Sequence, residues 1–299
     1  MTRVLWRIAR ARLGQPLGKA ASTIIRATAI AWLGATSAQA AGTLHVYGPS
    51  GPMPAMIEAA AAFGEANHIH VEVTAGPTPQ WIDKAMADAD LVFSGSEAMM
   101  SDLLAALPDL NAETVTPLYL RSSAILVRPG NPGHISGIAD LLKPEHHILV
   151  VNGSGQQGLW EDVAGRLGDI RAIRMFRSNI TTVAKTSADA KKAWDSDKAL
   201  DAWVVWGIWQ AANPKIADPV AIEPQYRIYR DTAAALTRTG LDRPEAKGFL
   251  TYLSSPQGAA IFARWGWTAP AHREVPWSEH RGTAHQRLGA CRMRGARRT

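Results

Sequence analysis

The sequence predicts an α/β fold with mostly parallel sheets, carried behind an export signal. Three observations predict it. From Thr43 onward, short β-type runs alternate with helical stretches of roughly 10–15 residues. Clusters of Gly, Pro, Ser and Thr sit at the junctions. Ahead of this pattern, residues 1–40 hold six basic side chains (Arg3, Arg7, Arg10, Arg12, Lys19, Arg26) and no acid.

That leader continues into an apolar run, Ala27 to Ala35, and then Ala38-Gln39-Ala40. The run is too short to span a bilayer, which takes about 20 residues. The small-x-small triplet has the form of a cleavage site. The expectation is a signal peptide over 1–40, cleaved near Ala40, with an uncleaved anchor as the alternative because the basic region is long. No later segment reaches spanning length, so the mature chain is not expected to cross a membrane. A location outside the cytoplasm argues against most ATP- and NAD-dependent chemistry.

The formal charge of +6 resides at the ends. Residues 1–40 contribute +6, the stretch from Ala271 contributes +5, and residues 41–270 carry −5. A mildly acidic folded part gives no nucleic-acid surface. The basic tail 271–299 (Arg287, Arg292, Arg294, Arg297, Arg298 among its cations) has no apolar periodicity and reads as a solvated end. The single cysteine, Cys291, lies there, so no intramolecular disulfide forms. Stability must come from a hydrophobic core, which about 230 residues can supply as one large domain or two lobes. Metal binding is not expected: His68 and His70 flank Ile69, His146 and His147 are adjacent, and both pairs read as surface histidines.

In order, Leu44 to Tyr47 reads as a strand, broken by Gly48-Pro49-Ser50-Gly51-Pro52. Met53 to Asn67 reads as a helix with Ala55, Met56, Ala59, Ala60 and Phe63 on one stripe. Ile69 to Val73 alternates as a second strand. Gly76-Pro77-Thr78-Pro79 breaks it, Thr78 being placed to N-cap a helix over Gln80 to Ala89. Asp90 to Phe93 is a buried-type strand, and Ser94-Gly95-Ser96 opens a helix over Ala98 to Leu107. Tyr119 to Val127 is a longer strand. Ile148 to Val151 is another, followed by a glycine loop at 153–158 and a helix from Leu159 to Leu167. Ser187 to Trp194 reads as a helix, Ala202 to Trp206 as a strand, and Glu223 to Ala235 as mostly extended. Pro244 to Leu253 and Pro256 to Trp265 read as closing helices.

Three loops after strands share a chemistry: Ser50-Gly51, Thr78-Pro79-Gln80 and Ser94-Gly95-Ser96. Each puts hydroxyls and free N–H groups at a helix N-terminus and a strand's carboxyl end, where open α/β sheets bind ligands. Such termini suit phosphate, sulfate or carboxylate, although Ser, Thr and Gly are also ordinary caps. The fourth loop, Asn152 to Gly158 with Ser154, Gly155 and Gln156, spells G-x-G-x-x-G. The ribose-binding acid expected about 20 residues on is missing, so an anion cradle is preferred to a dinucleotide site. Of the tryptophans Trp81, Trp160, Trp194, Trp203, Trp206, Trp209, Trp265 and Trp267, most are expected in the core. Trp206, ending a strand before Gly207, is the one placed at a site.

Ala75 to Ala85, leading into Ala89-Asp-Leu-Val-Phe-Ser-Gly-Ser-Glu97, resembles the AcfC-type accessory colonization factors. These are type II periplasmic solute-binding proteins related to molybdate and sulfate binders. Tyr47 to Ala55 resembles their first strand–loop–helix, and Glu245 to Gly258 with Ile261 to Gly266 resembles their closing helices. The resemblance implies two α/β lobes, each a mostly parallel sheet flanked by helices, with a ligand cleft between them. Lobe one would be 41–122 plus 233–270 and lobe two 123–232, crossing near Arg121-Ser122-Ser123 and Asp231-Thr232. It implies ligand hydroxyls and amides from Ser50, Gly51 and Thr78; the chemistry of the three loops adds Gln80, Ser94 and Ser96 as candidates. It also implies backbone donors from Gly155 and Gln156, to which the glycine loop adds Ser154 as a candidate, and an aromatic or hydroxyl group at Trp206, where molybdate binders have tyrosine. Arg121 and Ser122 lie where the crossing strand passes the cleft. An Arg fork there suits an organic phosphate or carboxylate better than a bare oxyanion. Glu97 could meet a ligand amine or hydroxyl, or serve as a first-turn acid.

The expected protein is a non-catalytic periplasmic binder of a small anionic solute, serving an ABC permease or a chemoreceptor and needing no cofactor. An exported adhesin is one alternative. An exported hydrolase is the other, although Ser94, Ser96 and Ser154 stand in no G-x-S-x-G elbow.

Overall fold

The computed structural model describes residues 42–269 except Ser154. The expected signal peptide 1–40 and the tail 271–299 with Cys291 lie outside the described residues.

Among the described residues nine strands share one curled sheet with both parallel and antiparallel pairs. They are β1 (Leu44–Gly48), β2 (Val71–Ala75), β3 (Leu91–Phe93), β4 (Thr116–Val127), β5 (Ile148–Val151), β6 (Ile180–Ala184), β7 (Ala202–Trp206), β8 (Asp218–Ala221) and β9 (Tyr229–Leu236). The α-helices of the described residues are α1 (Met53–Asn67), α2 (Ile82–Asp88), α3 (Glu97–Ala106), α4 (Leu159–Gly165), α5 (Ile170–Asn179), α6 (Ser187–Ser196), α7 (Ile208–Ala212), α8 (Arg238–Leu241), α9 (Pro244–Leu253) and α10 (Pro256–Arg264).

In the first half of the sheet, β1 lies between β2 and β3, both parallel to it, and β9 adds antiparallel to β3. In the second, β5 lies parallel to β6 and β7. β4 connects the halves. Its residues Thr116 to Ser122 pair with β9, and from Ser123 to Val127 it pairs with β7, β8 joining on the other side at Ala124. The halves therefore meet at one long strand and its antiparallel partner.

The structure moves several expected elements. The second strand begins at Val71, because α1 closes on a left-handed His68 (φ 55) whose N–H bonds back to Gly64. Thr78 does not cap a helix: Thr78–Gln80 is a short 3-10 turn without a side-chain cap, and α2 starts at Ile82. α5 and β6 escape the sequence reading because α5 presents Arg171, Arg174 and Arg177 and buries only Ala172, Phe176 and Asn179. Glu223 to Ile228 turns before β9 begins. His146 is not a surface residue. It is 5% exposed, and its Nδ1 meets Asp201 Oδ2 at 2.8 Å.

The core lies on both faces of the sheet. Phe63 of α1 packs against Phe249 of α9 at 5.2 Å between ring centroids, and Tyr119 stacks on Phe262 at 4.4 Å. In the second half Trp194 meets Trp203 at 6.1 Å, and Trp160 stacks parallel on Phe176 at 6.0 Å. Fully burying a large apolar side chain contributes about 1.5–3 kcal/mol, so these aromatics fix the helices against the sheet and hold the loops at its carboxyl edge.

Candidate functional site

A cleft of about 560 Å³ opens at that edge. Six strands feed it, each through the loop that follows its carboxyl end. Ser50 and Gly51 follow β1; Thr78 and Gln80 follow β2; Gly95 and Met99 follow β3. Gly155 and Gln156 follow β5, Thr186 to Asp189 and Lys191 follow β6, and Trp209 and Asn213 follow β7. Arg121 enters from the middle of β4. This is the position at which open α/β sheets hold ligands.

Arg121 is 4% exposed, and its guanidinium is packed among three glycine loops. Nη2 donates to the carbonyl of Gly95 and, at 3.2 Å, to that of Gly155. Nε is buried and has no partner among the described residues. Its Cζ stands 4.6 Å from the Trp206 ring centroid and 5.7 Å from that of Trp267. Burial lowers its pKa to about 9 while nearby Asp231 opposes the shift, so Arg121 remains a cation at neutral pH.

Two glycines make this approach possible. A Cβ at Gly51 would stand 3.1 Å from Arg121 Nη1. At Gly155 it would stand 3.5 Å from Nη2, on a backbone with φ +77 that side-chain-bearing residues rarely adopt.

Seven of the expected site residues line the cleft: Ser50, Gly51, Thr78, Gln80, Arg121, Gly155 and Gln156. Four others lie behind it. Ser94 is fully buried, its Oγ accepting from Ala233 N at 3.3 Å and its carbonyl from Thr232. Ser96 caps α3, accepting from Met99 N at 3.2 Å. Ser122 accepts from Gly207 N through its carbonyl at 2.9 Å. Trp206 is 1% exposed and supports the wall, its Nε1 donating to Gly155 O at 3.0 Å. Ser154 lies outside the described residues.

The sequence reading missed the β6–α6 loop. Thr186 caps α6 by accepting from Asp189 N at 3.1 Å, and its own hydroxyl meets Asp189 Oδ2 at 2.8 Å. Thr186-x-x-Asp189 is a capping-box pattern, the signal that could have found it. It leaves Ser187 and Ala188 at the first positions of α6, whose N–H groups have no intrahelical acceptor, facing the cleft. Lys191, one turn on, donates to Asn213 Oδ1 at 3.2 Å. The cleft wall thus holds hydroxyls, helix-terminal N–H groups and two cations, with Asp189 as its one carboxylate among the described lining residues.

Behind the β3–α3 loop, Glu97 is held above the ordinary carboxylate range by a hydrogen bond with Asp231, with burial and the Asp231 charge adding to the shift. Asp231 Oδ2 is buried and has no hydrogen-bond partner among the described residues. No group of three or more metal-ligating side chains occurs among the described residues.

Residues 44–268 match the family profile of bacterial extracellular solute-binding proteins. The chain belongs to this family. The L-phospholactate-bound structure of PEB3 is 35% identical, with a TM-score of 0.69, covering 76% of this chain and all of that one. Peb3 from Campylobacter jejuni gives the same identity, coverage and TM-score. The molybdate-binding protein of Azotobacter vinelandii shares the fold at 17% identity and TM-score 0.58, covering 76% of this chain and 99% of that one. No curated protein sequence matches the chain. The solute-binding family accounts for the observed architecture: two halves, each with strands ending at a shared cleft. No helix among the described residues is long and apolar enough to cross a membrane.

Proposed function

We propose that this protein captures a small organic anion, a phosphate or carboxylate, between two lobes in the periplasm and presents it to an ABC-type importer or a chemoreceptor. One observation carries the reading: a buried arginine fork and the N-terminus of α6 both border the same cleft, from opposite halves of the sheet. Both favour negative charge. The change of partner in β4 between Ser122 and Ser123 supports lobes of 41–122 plus 233–270 and 123–232.

Size favours an organic ligand over bare sulfate or molybdate. The cleft volume falls within the roughly 300–1,000 Å³ of small-molecule sites. The 35% identical PEB3 was crystallised with L-phospholactate bound, an organic phosphate. Within the family, residues 75–97 support placement among the AcfC-type accessory colonization factors, and Ala38-Gln39-Ala40 supports export by a cleaved signal. The role is one of binding without turnover.

A thermal-shift screen of the protein from Ala41 onward tests the reading against phosphate, sulfate, molybdate, 3-phosphoglycerate, citrate and amino acids. A ligand at a hundred times its Kd adds about 2.7 kcal/mol of stability. The expected result is a dose-dependent shift with organic phosphates or carboxylates. Shifts with amino acids alone, or with nothing, would overturn it.

A further inference from the structure

Gln156 is a second polar side chain committed to the cleft, and its hydrogen bonding is half complete. It is 2% exposed. Its backbone is held in the β5–α4 loop by a bond from its N–H to Gly153 O at 3.0 Å, and Nε2 donates to Ser187 Oγ at 2.5 Å. The side chain is therefore fixed at both ends, across the two loops that bring the second half of the sheet to the cleft. Oε1 is buried and has no donor among the described residues. A buried carbonyl without a donor is a costly arrangement that native structures rarely leave unanswered. Gln156 also lines the cleft, beside Arg121, Ser187 and Ala188. In a wall built of donors, it supplies an orphan acceptor.

We propose that Gln156 Oε1 accepts a hydrogen bond from the solute, so that the cleft selects an anion carrying its own O–H over one that has none. The inference rests on the cleft being the anion site. Sulfate and molybdate are fully ionised at neutral pH and offer only lone pairs, which would face the lone pairs of Oε1. Hydrogen phosphate keeps one P–O–H, and a hydroxylated organic phosphate or carboxylate brings an alcohol O–H. An amide suits this task because it accepts the proton without setting a second negative charge against the anion, as a glutamate would. The solute class is accordingly a hydroxylated organic acid or phosphate.

Titration calorimetry on the full chain tests this with two ligand pairs that differ in donor content. The pairs are inorganic phosphate against sulfate, and glycerol 3-phosphate against n-propyl phosphate. The wild type is expected to prefer the donor-bearing member of each pair by roughly tenfold or more, since a missing donor leaves Oε1 unpaired. Gln156→Met, which keeps the bulk and removes the acceptor, is expected to bring each ratio near unity. Equal binding within the pairs overturns the inference, as does preference for sulfate, the result of an amide turned with Nε2 toward the cleft. An unchanged ratio in Gln156→Met overturns it too. The wild-type ratios decide the matter even if that variant fails to fold. Absence of binding by all four anions would instead overturn the cleft reading on which the inference rests.

Discussion

Arg121 and Trp206 donate to the same oxygen, the carbonyl of Gly155, from Nη2 at 3.2 Å and from Nε1 at 3.0 Å. The guanidinium lies over the indole as well, 4.6 Å from its centroid. Trp206 thus acts on the cleft through Arg121 and Gly155 without lining it. The stacked ring fixes the plane of the fork, and the shared carbonyl fixes the loop from β5 against it. Arg121 also reaches Gly95 on the loop from β3, so one side chain ties the two halves together at the cleft.

Replacing the fork should cost more than replacing the charge alone would suggest. Arg121→Met is expected to weaken anion binding by about 1.5–3 kcal/mol, the range for a hydrogen bond to a charged group. Arg121→Lys should recover little of that, because an ammonium cannot reproduce the planar, stacked geometry. Calorimetric titration of both variants checks this, and full recovery in the lysine variant would show that charge alone matters at this position.

Ser50 and Thr78 contribute neutral donors from the loops after β1 and β2. Ser50→Ala and Thr78→Ala should each weaken binding by about 1–3 kcal/mol, the cost of leaving a buried anion short of a donor. The folded state should be unaffected, since neither side chain caps a helix. Unchanged affinity in both variants would remove these loops from the site.

Much of the fold was legible because the strand–helix alternation is strongly periodic and its breaks are marked by Gly and Pro. The cleft lining was legible at Ser50, Gly51, Thr78 and Gln156 for the same reason: polar residues at strand ends stand out against apolar runs. Ser94 and Ser96 carry an identical signal, yet one is buried against β9 and the other caps α3. Sequence chemistry cannot separate a capping hydroxyl from a binding one. The α6 wall was missed for the opposite reason. Arg171, Arg174 and Arg177 disguise α5, so β6 and the loop after it lose their place in the alternation.

Asp231 acts on the carboxyl of Glu97 and, with burial, holds it above its ordinary value of 4.5. A carboxyl whose pKa is raised by folding holds its proton more tightly in the folded state. The pair therefore favours folding below the ordinary pKa, and that contribution is lost as pH rises through the raised one. Glu97→Gln removes the repulsion that appears once both groups are charged. The Tm of the variant minus that of the wild type should accordingly increase from pH 4 to pH 7. A difference that is flat or falls over this range would mean that the two carboxyls do not interact.

Asp90 shows what an incompletely satisfied buried charge demands of its partner. It is 1% exposed, its Oδ2 accepts from His45 N at 2.9 Å and from Arg243 Nη1 at 2.8 Å, and Oδ1 has no partner among the described residues. Arg243 also donates to the carbonyls of Gly42 and Thr43, tying the start of β1 to the start of α9. Arg243→Met should destabilise the fold by about 3 kcal/mol, the lower end for breaking a buried pair, because Arg243 itself keeps some solvent contact. For a chain of this size that lowers the Tm by roughly 6–12 °C. Adding Asp90→Asn should restore part of the loss, since the stranded charge is then gone and the amide can still accept from His45 N. If the double variant is no more stable than Arg243→Met alone, the penalty lies in the lost Gly42 and Thr43 contacts and not in the buried carboxylate.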